Sequence, residues 1–374
     1  MSSNKSRQSK VQRKKTVMIA GGGTGGHIYP GVALATELKE RGYNVVWMGS
    51  GSKLEKSILN QYPLKYEHVT AKPFRGASLI RKIVLPIDVA YGVVSALIKM
   101  LNNKPKFLIT MGGYVSVTSA IAAAILKIPI HMCEQNSRCG LANKVLSVMA
   151  TTIFTAYPNV FRKKSTKKII ETGNPLRKEL IKRSNKKRRL KKEGQKLTVL
   201  VMGGSQGAKT LNENVPRIMK EIKSSQKIRV IHQTGGTAQI EKIIKAYKES
   251  GIEARVEKYF DDMAGIYSEV DLVIARSGAL TLSELMQFEL PAILVPLPGS
   301  ADNHQFFNAL HHERKGACWI LQQEDLFREG KLEKMIDILM TGEGTLKKMK
   351  HACIKMKREN VAEKIIQACE NNHE

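Results

Sequence analysis

Two glycine-rich turns, one in each half of the chain, constrain the fold more than any other feature. Gly21-Gly22-Gly23-Thr24-Gly25-Gly26-His27 follows the apolar run Val17-Met18-Ile19-Ala20. Gly203-Gly204-Ser205-Gln206-Gly207 follows Leu197-Thr198-Val199-Leu200-Val201-Met202. Each reads as a buried strand that runs into a turn and opens a helix. That is where α/β folds direct backbone N–H groups toward phosphate or another electron-rich ligand. Two such units, far apart in sequence, predict two Rossmann-like domains with a ligand cleft between them.

The rest of the chain fits this α/β reading. At 374 residues it exceeds the usual size of a single core. Strands are expected at 16–20, 44–48, 66–70, 107–111, 129–133 and 151–156, then at 197–202, 228–233, 254–257, 271–275, 292–296 and 317–321. Nearly all are apolar runs, as in a parallel sheet covered on both faces. Helices are expected at 28–41, 53–60, 79–101, 116–127 and 141–149, then at 209–222, 238–249, 278–288 and 303–313. Pro86 argues against one long helix through 79–101. The segment 325–372 reads as mostly helical, with a break at Gly342 and Gly344. The expected organisation is a basic disordered tail (1–15), an N-terminal domain (16–173), a C-terminal domain (174–355) and a closing helix (356–374) that returns to the first domain.

Several classes are disfavoured. There is no apolar stretch of membrane-spanning length, and no apolar region follows the basic N-terminus as in a signal peptide. The five cysteines are odd in number and form no CxxC, which fits a reducing, cytosolic setting. The formal charge of +28 is uneven. Residues 1–15 carry six Lys/Arg and no acid; residues 161–196 carry sixteen Lys/Arg and three acids. Such segments suit nucleic acid or an anionic membrane surface, or are composition bias in surface loops.

The glycine turns can be sharpened. Gly21, Gly23 and Gly26 satisfy GxGxxG, but a dinucleotide site also needs an acid ending the second strand. That strand ends Val46-Trp47-Met48-Gly49-Ser50, and Glu55 comes too late, so NAD or FAD is not expected. The second turn lacks a Walker lysine, which excludes a P-loop ATPase. Ser205 and Gln206 can donate to a diphosphate beside the turn amides. His27 falls in the first turn of a helix, where the dipole disfavours imidazolium, and so suits a general base. The alternative is a capping or packing histidine.

Other strand ends carry polar groups toward the same clefts. Arg276-Ser277-Gly278-Ala279-Leu280-Thr281 opens a helix, and Glu284 a turn later suits the hydroxyls of a ribose. The loop from Leu297 through Asp302, His304 and Gln305 suits a sugar. In the first half, Gly112-Gly113-Tyr114 and Glu134-Gln135-Asn136 end adjacent strands and should converge near His27. Glu134 would orient His27 or replace it as base.

Taken in order, these motifs resemble the MurG family, the UDP-N-acetylglucosamine transferases of peptidoglycan lipid II synthesis within glycosyltransferase family 28. The matching stretches are Gly22 to His27, Gly112 to Ser116, Glu134 to Asn136, Gly173-Asn174-Pro175-Leu176-Arg177, Gly203 to Ala208, Asp261-Asp262-Met263, and Arg276 to Thr281 with Glu284. The resemblance covers residues from about 16 to at least 315. It implies the GT-B fold, with two Rossmann-like domains whose parallel sheets face a cleft. It further implies that the C-terminal domain binds UDP-GlcNAc. Ser205 and Gln206 would meet the diphosphate near Arg177, Phe260 the uracil through its backbone, and Glu284 the ribose. Ala279, Leu280 and Thr281 would supply amides, and His304 and Gln305 would reach the GlcNAc. The N-terminal domain would hold lipid I, with its diphosphate near Thr24, Gly25 and Gly26. Tyr114 and Asn136 would line the acceptor side, and Asn212 matches a further cleft position. Two departures fall in the acceptor domain: Val117 and Thr118 replace a Gly-Pro pair, and Cys133 replaces a histidine.

The implied reaction moves GlcNAc onto the C4 hydroxyl of lipid I MurNAc with inversion, releasing UDP. Asp261-Asp262 reads as a helix start rather than a metal-binding pair, so neither metal nor cofactor is expected. The implied partners are UDP-GlcNAc, lipid I, the anionic cytoplasmic membrane surface, and other cell-wall synthesis and division proteins. The implied location is peripheral, on the cytoplasmic face of the bacterial inner membrane. Phe74, Arg75, Leu79, Ile80, Arg81, Lys82 and Ile83 form the expected membrane patch. Other readings are a diacylglycerol-type glycosyltransferase, a UDP-GlcNAc 2-epimerase and, remotely, a basic nucleic-acid-binding module.

Overall fold

The computed structural model describes residues 15–71, 79–161, 168–186, 196–204, 207–222, 225–236, 239–328, 330–342 and 344–371, with no side-chain description for 79–85. The basic tail, Phe74, Arg75, Ser205 and Gln206 therefore lie outside the described residues, apart from Lys15. So do the side chains of Leu79, Ile80, Arg81, Lys82 and Ile83.

The first domain alternates strand and helix: β1 (Thr16–Ala20), α1 (Gly25–Glu40), β2 (Asn44–Gly49), α2 (Lys53–Leu59), β3 (Lys65–His68), α3 (Leu79–Asn103), β4 (Leu108–Thr110), α4 (Tyr114–Ile125), β5 (Ile130–Glu134), α5 (Leu141–Met149), β6 (Thr152–Thr155) and β7 (Lys168–Glu171). The strands make one parallel sheet in the order β3-β2-β1-β4-β5-β6-β7. Parallel pairing requires a crossover between neighbours, and each helix supplies one while covering a sheet face. Ile19, Trp47 and Ile109 pack on one face with α1; Met18, Met48 and Leu108 pack on the other with α3 and α4.

The second domain repeats the scheme: α6 (Lys178–Ser184), β8 (Leu197–Met202), α7 (Lys209–Lys220), β9 (Ile228–Gln233), α8 (Ile240–Glu249), β10 (Glu253–Glu257), α9 (Met263–Glu269), β11 (Leu272–Ala275), α10 (Ala279–Gln287), β12 (Ala292–Leu294), α11 (His304–Arg314) and β13 (Cys318–Ile320). Its parallel sheet runs β10-β9-β8-β11-β12-β13. α12 (Lys331–Thr341) and α13 (Thr345–Met356) pack on this domain. α14 (Val361–Asn371) crosses back, burying Val361, Ile365, Ile366 and Cys369 in the first domain's core beside α1. Glu370 accepts from Arg41 and Tyr43, both at 2.9 Å, and fixes the end of α14.

Two expectations are corrected. Pro86 does not interrupt α3, which continues from Leu79 to Asn103. Proline removes one N–H from the ladder, and the packing of Val93, Ala96 and Met100 holds the helix beyond it. β7 was not expected, because Lys168-Ile169-Ile170-Glu171 has only two apolar residues; it pairs at the sheet edge, where charge is tolerated. The Thr118 departure is accommodated by Gly92 of α3: a Cβ there would lie 2.9 Å from the Thr118 methyl.

Because Ile366 is fully buried between α14 and the first domain, I366A should lower the unfolding free energy of that domain by about 2–5 kcal/mol. Denaturant titration followed through Trp47 fluorescence measures this; an unchanged midpoint would mean α14 contributes nothing to the core.

Candidate active site

In each sheet the strand order reverses at one point, between β1 and β4 in the first and between β8 and β11 in the second. Helices leaving two such strands diverge to opposite faces and open a crevice at the strands' carboxyl ends. The four helices that follow these strands are α1, α4, α7 and α10. Their N-cap residues are Thr24, Gly113, Ala208 and Gly278, and none makes a side-chain capping bond. Ser52 and Asp262 cap α2 and α9, whereas α5, α6 and α8, also away from the reversals, have no side-chain cap either. Uncapped helix starts leave amide donors and positive dipole ends available for anionic oxygen.

In the first domain the two glycine turns meet. Gly113 adopts φ 84°, and a Cβ there would lie 2.9 Å from the Gly22 carbonyl oxygen. Gly112 similarly leaves His27 its space, a Cβ at 112 lying 3.1 Å from His27 Nε2. His27 Nδ1 lies 3.1 Å from the Gly22 carbonyl oxygen. A carbonyl can only accept, so Nδ1 carries the proton and Nε2 keeps its lone pair. Desolvation pulls the imidazole pKa below its ordinary 6.5, against the raising effects of the Gly22 carbonyl and nearby Glu134. His27 is therefore a neutral acceptor near neutral pH. His304, in the other domain, lies within electrostatic range of it.

Glu134, the second candidate for the base, is already engaged. It is buried, and its carboxylate accepts from the Asn136 amide at 2.9 Å, Asn136 Nδ2 at 3.3 Å, the Gly140 amide at 3.3 Å and Asn143 Nδ2 at 2.8 Å. These donors occupy both oxygens, so the group organises the 134–140 loop beside His27 instead of offering a free lone pair. Thr24, Gly25 and Gly26 form the start of α1, and Tyr114 begins α4 alongside. Glu55 is likewise committed: Trp47 Nε1, Ser50 and Gly51 donate to it, which removes it as a ribose ligand.

In the second domain, the described flanks of the Ser205-Gln206 turn pack closely. Gly207 has φ 75°, and a Cβ there would come within 2.3 Å of the Thr234 carbonyl oxygen. Asn212 is not delivered to the cleft. Its Nδ2 donates to that same carbonyl at 2.9 Å, and its Oδ1 lies 3.0 Å from His232 Nε2. Burial lowers the His232 pKa to about 3. The neutral ring must donate from Nε2 and accept from Tyr247 at Nδ1, so Asn212 is one end of a buried chain that supports the turn.

Ala279, Leu280 and Thr281 present the free amides of α10; the first amide bonded back to Gly278 is that of Leu282. Glu284, one turn on, accepts from Tyr267 at 2.8 Å, and burial raises its carboxyl pKa. The Arg177 guanidinium lies over the Tyr29 ring at 4.6 Å, beside the Tyr62 hydroxyl and within electrostatic range of Glu284. The Phe260 amide points at Gln233 Oε1, 3.5 Å away. His304 Nδ1 lies 2.7 Å from the Ala301 carbonyl oxygen, and Gln305 Oε1 accepts from the Leu297 amide at 3.0 Å, which holds the sugar-loop candidate in shape. Among the described residues no group of three or more His, Cys, Asp or Glu side chains is assembled to hold a metal ion.

One central residue was missed in the sequence. Asn308 of α11 is fully buried and joins the domains. Its Oδ1 accepts from the Ser137 amide and hydroxyl, both at 2.8 Å, while Nδ2 donates to Asn136 Oδ1 at 3.2 Å and to the Ser277 carbonyl at 3.3 Å. Arg138 over the Phe307 ring, at 3.9 Å, extends the junction. Asn174 adds a second bridge, donating to Gln135 O at 3.2 Å and Ser283 Oγ at 3.1 Å. Only the position of Asn308, one turn beyond His304, signalled it; a lone amide in a helix carries no motif.

Two parallel-sheet domains that face a cleft lined by free helix starts define a GT-B glycosyltransferase. The same fold is seen at 12% identity in a kitacinnamycin glycotransferase (TM-score 0.70, 96% of this chain and 99% of that one). Acinetobacter baumannii MurG superposes with TM-score 0.77 at 27% identity, covering 96% of this chain and 99% of that one. The sequence matches the glycosyltransferase family 28 N-terminal domain over residues 17–155 and the family 28 C-terminal domain over residues 198–365. Relatives named UDP-N-acetylglucosamine--N-acetylmuramyl-(pentapeptide) pyrophosphoryl-undecaprenol N-acetylglucosamine transferase include one from Acidovorax sp. (strain JS42), 35% identical over 98% of this chain and 90% of its own length. Another, from Coxiella burnetii (strain RSA 493 / Nine Mile phase I), is 39% identical over 83% of this chain and 86% of its own. The chain belongs to glycosyltransferase family 28, among its MurG members.

N308A leaves the Ser137 amide without an acceptor and cuts the bridge to Asn136. A stability loss of about 1–3 kcal/mol is expected, together with faster protease cleavage in the 134–140 loop; limited proteolysis and thermal melts measure both, and wild-type behaviour in each would deny the bridge a structural role.

Proposed function

We infer that the chain transfers GlcNAc from UDP-GlcNAc to the C4 hydroxyl of the MurNAc in lipid I, giving lipid II and UDP. The observation that carries the reading is His27: a neutral imidazole with Nε2 unprotonated, set between two sheet reversals that both present free helix amides. His27 Nε2 takes the proton as the C4 oxygen attacks the anomeric carbon of GlcNAc. The new C–O bond forms as the bond to the β-phosphate oxygen breaks, and the configuration inverts from α to β. The negative charge that develops on UDP falls on the amides at the starts of α7 and α10, and Ser205, Gln206 and Arg177 share it. This assigns no part of that charge to a protein-bound metal or cofactor. Thr24, Gly25 and Gly26 receive the lipid diphosphate at the start of α1. Glu284 takes the ribose and Phe260 the uracil through its backbone, while His304 and Gln305 face the sugar. Glu134 is a positioning residue: it shapes the loop carrying Asn136, which lines the acceptor side with Tyr114.

Docking at the membrane follows from where lipid I resides. No described helix is long and apolar enough to cross a membrane. α3, however, is apolar on two faces. Val93, Ala96 and Met100 face the core, whereas Ile87, Tyr91, Val94, Ile98 and Leu101 stand on the opposite side and are exposed. α5 adds exposed Leu141, Val145 and Val148, the last 75% exposed. A helix apolar on its outer side needs a second apolar phase. We assign that phase to the cytoplasmic leaflet of the plasma membrane, which the protein meets peripherally. In sequence, the Phe74–Ile83 patch immediately precedes these residues.

The activity is tested by mixing the purified protein with labelled UDP-GlcNAc and a lipid I analogue. Disaccharide formation is expected; transfer to diacylglycerol but not to the lipid I analogue would refute the assignment. H27A should cost about 10²–10⁴-fold in turnover while leaving UDP affinity unchanged. The base works deprotonated and its pKa lies below 6.5, so wild-type turnover should hold as pH falls to that value and drop only below it. An acid limb centred above it would exclude His27 as the base. V94E combined with V148E should weaken co-sedimentation with phosphatidylglycerol vesicles at least about tenfold, and unchanged sedimentation would move the docking surface elsewhere.

A further inference from the structure

A cavity of about 530 Å³ lies at the domain junction. It is lined by Gln287 at the C-terminal end of α10, by His311, His312 and Lys315 at that of α11, and by Met356 at that of α13. α10 and α11 start at the cleft and reach the cavity with their far ends, and Ser283, one turn into α10, lines its near side. Its walls come from both crossings of the chain between domains: Gly173, Asn174 and Leu176 in one, and Met356 and Arg358 in the other.

The electrostatics are one-sided. Lys315, Lys348 and Lys355 line the cavity, and no ion pair is found for any of them among the described residues. Arg358 is neutralised by Glu171 at 2.5 Å, the one acid in the wall. Three helix C-termini oppose this with about half a negative charge each, largely screened beyond the last turn. Three ammonium groups therefore exceed them. Tyr157 also lines the cavity; it is 4% exposed and stands edge-on to both His311 and His312. Its hydroxyl has no partner among the described residues. Burial raises its pKa, so the hydroxyl keeps its proton and remains a donor. The volume suits a metabolite-sized ligand.

We propose that this junction cavity binds a small multivalent phosphorylated anion, held by the ammonium groups of Lys315, Lys348 and Lys355 and by the Tyr157 hydroxyl. Such a ligand touches segments on both sides of the domain junction, so its occupancy is linked to the separation of the domains.

Calorimetric titration of the full chain with tripolyphosphate, in the presence of saturating UDP, tests this. UDP occupies the donor diphosphate site and leaves the junction cavity open. The wild type should bind one equivalent, with affinity that falls as salt is added. The exposed double substitution K348E/K355E should weaken binding at least about tenfold, and Y157F should weaken it to a smaller extent, with UDP affinity unchanged in both variants. Equal affinity in K348E/K355E overturns the site. So does wild-type binding that is seen only when UDP is absent, because the ion then sits in the donor cleft. The separate UDP titration bears on the donor site alone, so failure of that reading is distinguishable from failure of this one.

Discussion

Parallel pairing is the constraint on which everything else here depends. A strand can pair parallel to its neighbour only after a crossover, and the crossover helix must start where the strand ends. All carboxyl ends of a sheet and all following helix starts therefore gather along one edge. With two such sheets joined so that these edges face each other, every free amide is directed into a common space. In the proposed reaction, neither domain alone has both a base and a place for a leaving group. The polar bridges of Asn308 and Asn174 matter because they set the distance between the edges.

Two neutral histidines illustrate how hydrogen-bond partners separate side chains of one type. His27 and His232 are both neutral, and in both the protonated nitrogen is identified by an acceptor that cannot donate. In His27 the remaining nitrogen lies beside Gly112 with no hydrogen bond among the described residues. In His232 it is consumed by Tyr247, so the ring is a spacer that holds Asn212 and, through Thr234, the turn at Gly207. Chemistry at such a site depends less on residue type than on whether the second nitrogen is already spoken for.

Much of this was legible in the sequence, for physical reasons. Apolar runs such as Val17–Ala20 and Leu197–Met202 announce parallel strands because both faces are covered, and glycine announces a turn because only it fits where Gly113 meets the Gly22 carbonyl. The Asp262 helix start was equally plain and is a true N-cap. What escaped was whatever depends on a partner far along the chain. β7 exists because β6 offers it an edge. Glu134 and Asn212 carry residue types that suit a cleft, yet their hydrogen bonds are taken by Asn143, Gly140, Thr234 and His232. Asn308 had no local signature at all. Sequence pattern reports the environment a residue prefers, not which of its lone pairs is already occupied.

The return of α14 has a consequence for the order of events during synthesis. Residues 361–371 emerge only after the whole second domain has been made, yet they complete the core of the first, beside α1. The domain translated first is thus the last to be finished. Until then Ile28, Val32 and Ala35 lack part of their cover, and an apolar groove stays open on the nascent chain. Completion of one domain is in this way made conditional on the other, so that a ribosome stalled in the second half releases a product whose first half is still incomplete.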